Sequence, residues 1–90
     1  MSKKAVEITV RGKVQGVGFR FYTQRKAGEL NINGFVINQT DGSVYIEAEG
    51  TPEQLEQFIL WCEDGPSWAR VTNMAKQEVP VTGFEGFRIK

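Results

Sequence analysis

The stretch FVINQTDGSVYIEAEG, Phe35 to Gly50, decides the fold. Phe35 to Gln39 is rich in β-forming residues, and Thr40-Asp41-Gly42-Ser43 carries the Asp-Gly turn signal. Val44, Ile46 and Ala48 then alternate with Tyr45, Glu47 and Glu49 until Gly50. A period of two gives a strand with one buried face, and Asp-Gly between two such runs gives a hairpin. The hairpin lies near the middle of the chain, so its flanks fix the architecture.

On its C-terminal side, Thr51-Pro52-Glu53-Gln54 is a helix start. Thr51 suits the cap, Pro52 the first helical position, and Gln54 completes a capping box. Leu55, Phe58, Ile59 and Cys62 follow as an i, i+3, i+4, i+7 stripe, and Gly65-Pro66 ends the helix. Ala69 to Val79 reads as a strand with Val71 and Met74 turned inward, and Phe84 to Ile89 as a short last strand after the Pro80–Gly83 turn.

On the N-terminal side, a helix from about Arg20 to Leu30 places Phe19, Thr23, Ala27 and Leu30 on one face, closed by Asn31-Ile32-Asn33-Gly34. Before it, Val6, Ile8 and Val10 alternate with Glu7, Thr9 and Arg11 in a strand that stops at Gly12. The order is β-α-β-β-α-β with a short C-terminal strand. It predicts an α+β, ferredoxin-like α/β sandwich: two helices on one face of an antiparallel sheet, built by residues 1–90 as a single domain.

A right-handed β-α-β crossover brings the carboxyl ends of the first two strands to one rim of the sheet. The segment Gly12-Lys13-Val14-Gln15-Gly16-Val17-Gly18-Phe19-Arg20 leaves the first strand, and Asn38 ends the second. Asn38 shares a strand face with Val36, so if Val36 enters the core, Asn38 points to the same side at the rim. A glycine-rich turn that feeds a helix start offers converging backbone amides at a partly positive helix end. Arg20 adds a planar fork for two oxygens. The loop lacks the Gly-Lys-Ser/Thr ending of a nucleotide-phosphate loop and the third glycine of a dinucleotide fingerprint. At this level an anion site and a plain structural turn both satisfy the pattern.

Composition narrows the chemistry. The 90 residues hold 40% apolar and 24% charged side chains, as in ordinary globular proteins. Eleven basic residues balance eleven acidic ones, so no net field gathers nucleic acid or anionic lipid. With no His and one Cys, histidine catalysis, His metal sites and an intramolecular disulfide are excluded, and a thiolate metal cluster is not expected. Cys62 reads as a buried small hydrophobe, and a lone Cys without disulfides suits a reducing, cytoplasmic setting. No apolar run approaches the ~20 residues of a membrane span, and no signal peptide is seen.

The nine residues Gly12–Arg20 closely resemble the signature of the acylphosphatases. Gly34-Phe35-Val36-Ile37-Asn38, then Asp41-Gly42-Ser43-Val44, resemble the family's second signature, and Gly65-Pro66 with Ala69-Arg70-Val71 its pattern after the second helix. The resemblance covers essentially the whole chain. It implies hydrolysis of the carboxyl–phosphate anhydride of a small-molecule acyl phosphate; no cofactor is expected, the lack of His and of a Cys cluster makes metal independence the expectation, and a cytoplasmic monomer is the default reading. It also implies roles: Arg20 binds phosphate, Asn38 holds the attacking water, and the backbone of Gln15, Gly16, Val17, Gly18 and Phe19 forms the phosphate cradle. The side chain of Gln15 reads as loop-shaping, Phe19 as the loop's anchor in the core, and Lys13 as solvated.

The same element order also serves RNA-recognition modules, which need aromatic residues on the open face of strands one and three. Here those positions carry Glu7, Thr9 and Arg11, and Tyr45 beside Glu47 and Glu49. With zero net charge, a nucleic-acid partner is not expected. A small-molecule-binding regulatory module is the other reading the fold class permits.

Overall fold

The computed structural model describes residues 2–90. Along the chain come β1 (Lys4–Lys13), α1 (Phe19–Glu29), β2 (Asn33–Asn38), β3 (Val44–Gly50), α2 (Pro52–Asp64), β4 (Arg70–Val79) and β5 (Phe87–Ile89). They form a five-stranded sheet in the order β4-β1-β3-β2-β5.

The register explains the core. Ile8 of β1 pairs with Ile46 of β3, which pairs with Val36 of β2; Val10 likewise meets Val44, and Val44 meets Asn38. The inward-facing apolar residues thus line up in rows across three strands. The helices lay Phe19, Ala27, Leu55, Phe58 and Cys62 over these rows, and all are buried. The expected capping box is present on α2: Thr51 Oγ1 accepts from the Gln54 amide at 3.2 Å, and the Thr51 amide donates to Gln54 Oε1 at 3.0 Å. Satisfying two otherwise unpaired groups fixes where this helix begins.

The antiparallel expectation holds for β1 to β4, whereas β5 adds to the sheet parallel to β2, over Phe87–Ile89 only. The reason is the path of the chain. β4 ends opposite Ala5, at the end of the sheet where β2 begins. The chain crosses that end to reach the far edge, so its next strand must run as β2 runs. β1 also continues past Gly12 to Lys13, with a register shift against β4 between Arg11 and Gly12. A bulge of this kind bends a strand without ending it, which is why β1 reaches the loop it feeds. Gln39 and Ser43 close the β2–β3 turn, where the Gln39 amide donates to the Ser43 carbonyl at 2.9 Å. Within it, Asp41 accepts from the amide and hydroxyl of Ser43 and from the Arg11 guanidinium at 2.9 Å. Those bonds, the Ser43 hydroxyl first, hold its carboxyl down at about 2.

On the face away from the helices, the Tyr45 hydroxyl donates towards Glu47 and Glu7 at 2.7 and 3.1 Å. Burial first, then these two acids, push its pKa up. No helix among the described residues is long and apolar enough to cross a membrane.

Candidate active site

The loop between β1 and α1 is pinned at both ends. Val14 and Phe19 are buried, and the Phe19 ring lies 5.8 Å from that of Trp61. Between these anchors Gly16 and Gly18 take left-handed conformations, with φ of 74° and 79°. Other residues pay heavily for this backbone, and alternating it with ordinary φ values curls successive amides towards one point.

Gly18 is also the N-cap of α1, and no side chain caps that end. The first intrahelical bond runs from the Tyr22 amide to the Gly18 carbonyl at 3.1 Å. The amides of Phe19, Arg20 and Phe21 therefore lie in the turn that has no acceptor within the helix. No acidic residue sits in that turn, so its partial positive charge is not offset locally.

Arg20 projects from the same turn. Its guanidinium donates to the backbone oxygen of Lys90 at 3.0 Å, and the Lys90 amide donates to the Val36 carbonyl at 2.8 Å. The end of the chain thus ties Arg20 to the strand that carries Asn38. Val36 is fully buried and Asn38 pairs with Val44, so the parity argument holds and the Asn38 amide lies on the helix side of the rim. A cleft of about 200 Å³ results. Gly16, Gly18, Arg20 and Asn38 supply its polar lining, Val14 and Phe19 its floor, and Phe21 and Ile89 an apolar wall.

Of the residues singled out from sequence, Gly16, Gly18, Phe19, Arg20 and Asn38 meet at this cleft; Gln15 and Val17 do not line it. The Gln15 side chain turns to the β2–β3 turn instead, where Nε2 donates to the carbonyls of Gln39 and Ser43 at 2.7 and 2.8 Å. It fastens the loop to the segment that follows Asn38, as a loop-shaping residue should. Cys62 is fully buried on α2, and burial pushes its thiol far above the ordinary range, which keeps it protonated and inert.

Two contacts were missed in the sequence. Trp68 donates its indole N–H to the Val17 carbonyl, and Lys90 holds Arg20. Both join residues at least fifty positions apart, and neither has a local pattern to announce it. Among the described residues, no group of three or more His, Cys, Asp or Glu side chains is placed to hold a metal ion.

A glycine-rich loop at a helix start, with an arginine and an asparagine side chain on the same cleft, is an arrangement suited to a phosphoryl or similar oxyanion. The comparisons specify which. Residues 6–89 match the acylphosphatase family. An acylphosphatase of Thermotoga petrophila is 47% identical over 87 residues, 97% of each chain. The crystal structure of an acylphosphatase from Bacillus subtilis superposes with a TM-score of 0.94 at 35% identity, covering 97% of this chain and 98% of that one. Full-length HypF in a phosphate- and nucleotide-bound form superposes at 0.92 with 33% identity, covering 99% of this chain but 12% of that larger one. The chain belongs to the acylphosphatase family. Its activity is the hydrolysis of acyl phosphates to a carboxylate and inorganic phosphate.

Proposed function

We propose that Arg20 and the backbone amides of Gln15 to Phe19 hold the phosphoryl group, while Asn38 holds water in line with the carboxyl–phosphate bond. The observation that carries this reading is the shared cleft, in which Gly16, Gly18 and Arg20 face Asn38. Arg20 offers two parallel donors, and the loop adds amides whose positions are fixed before substrate arrives. Preorganised donors of this kind stabilise charge without reorganising during the reaction. The attacking water forms the new P–O bond as the anhydride P–O bond breaks, and the electron pair leaves with the carboxylate. An amide is no base, so the water's proton passes to a phosphoryl oxygen or to solvent.

The substrate makes this sparse machinery sufficient. A departing carboxylate has a conjugate acid with a pKa of about 4 to 5, so it leaves unprotonated. Positioning and charge stabilisation remain, and they are the main tasks in phosphoryl transfer. An alkyl monoester releases an alkoxide, which needs an acid or metal. The reading takes the protein as a cytoplasmic monomer: a single buried Cys with no second Cys to pair with suits a reducing compartment.

The test compares phosphate release from acetyl phosphate and from glycerol phosphate. Rapid release from the first and little from the second is expected. Comparable turnover of both contradicts the leaving-group argument.

A further inference from the structure

We infer that Trp68 is a positioning residue of the phosphate cradle: its indole N–H holds the Val17 carbonyl outward and thereby turns the Gly18 amide into the cleft. The inference rests on the reading that the loop amides bind the phosphoryl group.

The geometry has three parts. First, Trp68 Nε1 donates to the Val17 carbonyl, in the middle of the loop between the two left-handed glycines. Second, Trp68 is itself located. It sits just after the Gly65-Pro66 turn, and its ring meets that of Tyr22 edge-on, 5.2 Å between centroids at 76°. Tyr22 is the residue whose amide opens the α1 ladder on the Gly18 carbonyl, and a Cβ placed on Gly18 would lie 3.4 Å from its ring. Third, the cleft is lined by Gly16 and Gly18, but not by Val17, Tyr22 or Trp68. The aromatic pair therefore stands behind the loop.

The peptide plane does the rest. In a trans peptide the carbonyl of one residue and the amide N–H of the next point in opposite directions, and the described residues hold no cis peptide. Fixing the Val17 carbonyl towards Trp68 consequently aims the Gly18 N–H away from Trp68, to the side on which Gly18 lines the cleft. A left-handed glycine pair also permits the flipped peptide, because glycine has little preference between positive and negative φ. Without the indole donor, the loop samples both orientations, and only one presents the amide to phosphate. Trp68 is 53% exposed, so core packing does not account for its placement.

The test replaces Trp68 with β-(3-benzothienyl)alanine, which keeps the ring shape and puts sulfur in place of N–H, alongside Trp68→Phe. Competitive inhibition by inorganic phosphate, kcat/KM on acetyl phosphate, and thermal midpoint are measured for both. One hydrogen bond of ordinary net strength corresponds to roughly a fivefold change. The expected result is phosphate inhibition and kcat/KM each weakened about fivefold in both variants, with the sulfur isostere's thermal midpoint lowered by no more than about 5 °C, so that both variants are fully folded at the assay temperature. Unchanged phosphate inhibition in the sulfur isostere overturns the inference. Arg20→Ala is run beside them. If it loses phosphate inhibition while the Trp68 variants keep theirs, only the role of Trp68 fails. If Arg20→Ala also binds phosphate normally, the site reading falls and this inference falls with it.

Discussion

The two ends of the sheet use the same backbone chemistry for opposite purposes. At the end where β3 finishes, Glu49 is 1% exposed, and its carboxylate collects the amides of Thr82, Gly83 and Phe84 at 2.5 to 3.2 Å. Gly83 has φ of 95° in this strap, which carries the chain from β4 to β5. At the other end, Gly16 and Gly18 shape the loop that feeds α1, and among the described residues no side chain caps that helix start. In the first case the chain supplies its own oxyanion, and the product is a structural rivet. A buried carboxylate is costly unless several charge-assisted bonds satisfy it, and here three amides do so. In the second case, on the proposed function, the oxyanion comes from the substrate and the same kind of donor serves binding and catalysis. What separates a joint from an active site here is the source of the anion.

The largest effect expected from this contrast is at Arg20. Arg20→Ala should nearly abolish turnover and weaken phosphate inhibition, yet leave the melting temperature close to wild type, since its partner is an exposed backbone oxygen of Lys90. Arg20→Lys should also be poor, because a point charge does not replace a planar fork. Steady-state kinetics and a thermal melt on both variants check this. A lysine variant with most of its activity would remove bidentate binding from the picture.

Next comes Asn38, which separates holding water from holding phosphate. Asn38→Ala should lower kcat about a hundredfold to a thousandfold, the usual loss of about 2.7–4 kcal/mol for one well-placed polar donor in such sites. Inorganic phosphate should inhibit as before. An interaction made mainly in the transition state lowers kcat and kcat/KM together. Asn38→Asp should be worse, because a carboxylate repels the phosphoryl group. Collapse of phosphate affinity with a near-normal kcat would make Asn38 a phosphate ligand instead.

Glu49→Gln is the mirror experiment at the other end. The amide keeps one acceptor oxygen and turns an NH₂ towards backbone donors, leaving buried groups unsatisfied. A loss of about 2 kcal/mol is expected, or a fall of roughly 10 °C in melting temperature for a chain of this size. kcat measured well below that temperature should be unchanged. A stable Glu49→Gln variant with impaired kcat would mean that the two ends are coupled and would undo the comparison.

These two ends were not equally legible in the sequence. The cradle was readable because its residues are contiguous: Gly12 to Arg20 form one motif, and a period of two sufficed to put Asn38 beside Val36 on the same face. The capping box of Thr51 and Gln54 was readable for the same reason. Glu49 was not. Alternation assigned it to the polar face with Tyr45 and Glu47, and it does lie there, but the strap of residues 80–86 covers it. That strap has no periodic pattern. The parallel pairing of β5 depends on three residues, too few for a pattern, and on the path of the connection before them. Trp68 and Lys90 reach the loop and Arg20 from distant parts of the chain, so their roles are products of tertiary folding alone.

The smallest effect is expected from removing metal ions, and it tests whether amides and one arginine suffice at the open end as three amides suffice for Glu49. A metal in phosphoryl transfer has two main uses, to neutralise oxyanion charge and to help a poor leaving group depart. In the proposed function the first task falls to Arg20 and the helix-start amides, which hold their places in the fold through Phe19, Gln15 and Lys90. The second does not arise with a carboxylate leaving group whose conjugate acid has a pKa of about 4 to 5. Nor, among the described residues, do three or more His, Cys, Asp or Glu side chains converge where they could hold an ion. Dialysis against a chelator should therefore leave kcat and KM on acetyl phosphate within experimental error of the untreated enzyme. Added Mg²⁺ should not accelerate the reaction, and excess divalent ion should slow it slightly by pairing with substrate phosphate. Inactivation by the chelator with recovery on adding a divalent ion would show that the amide cradle is not sufficient. The likeness between the two ends of the sheet would then stop at geometry.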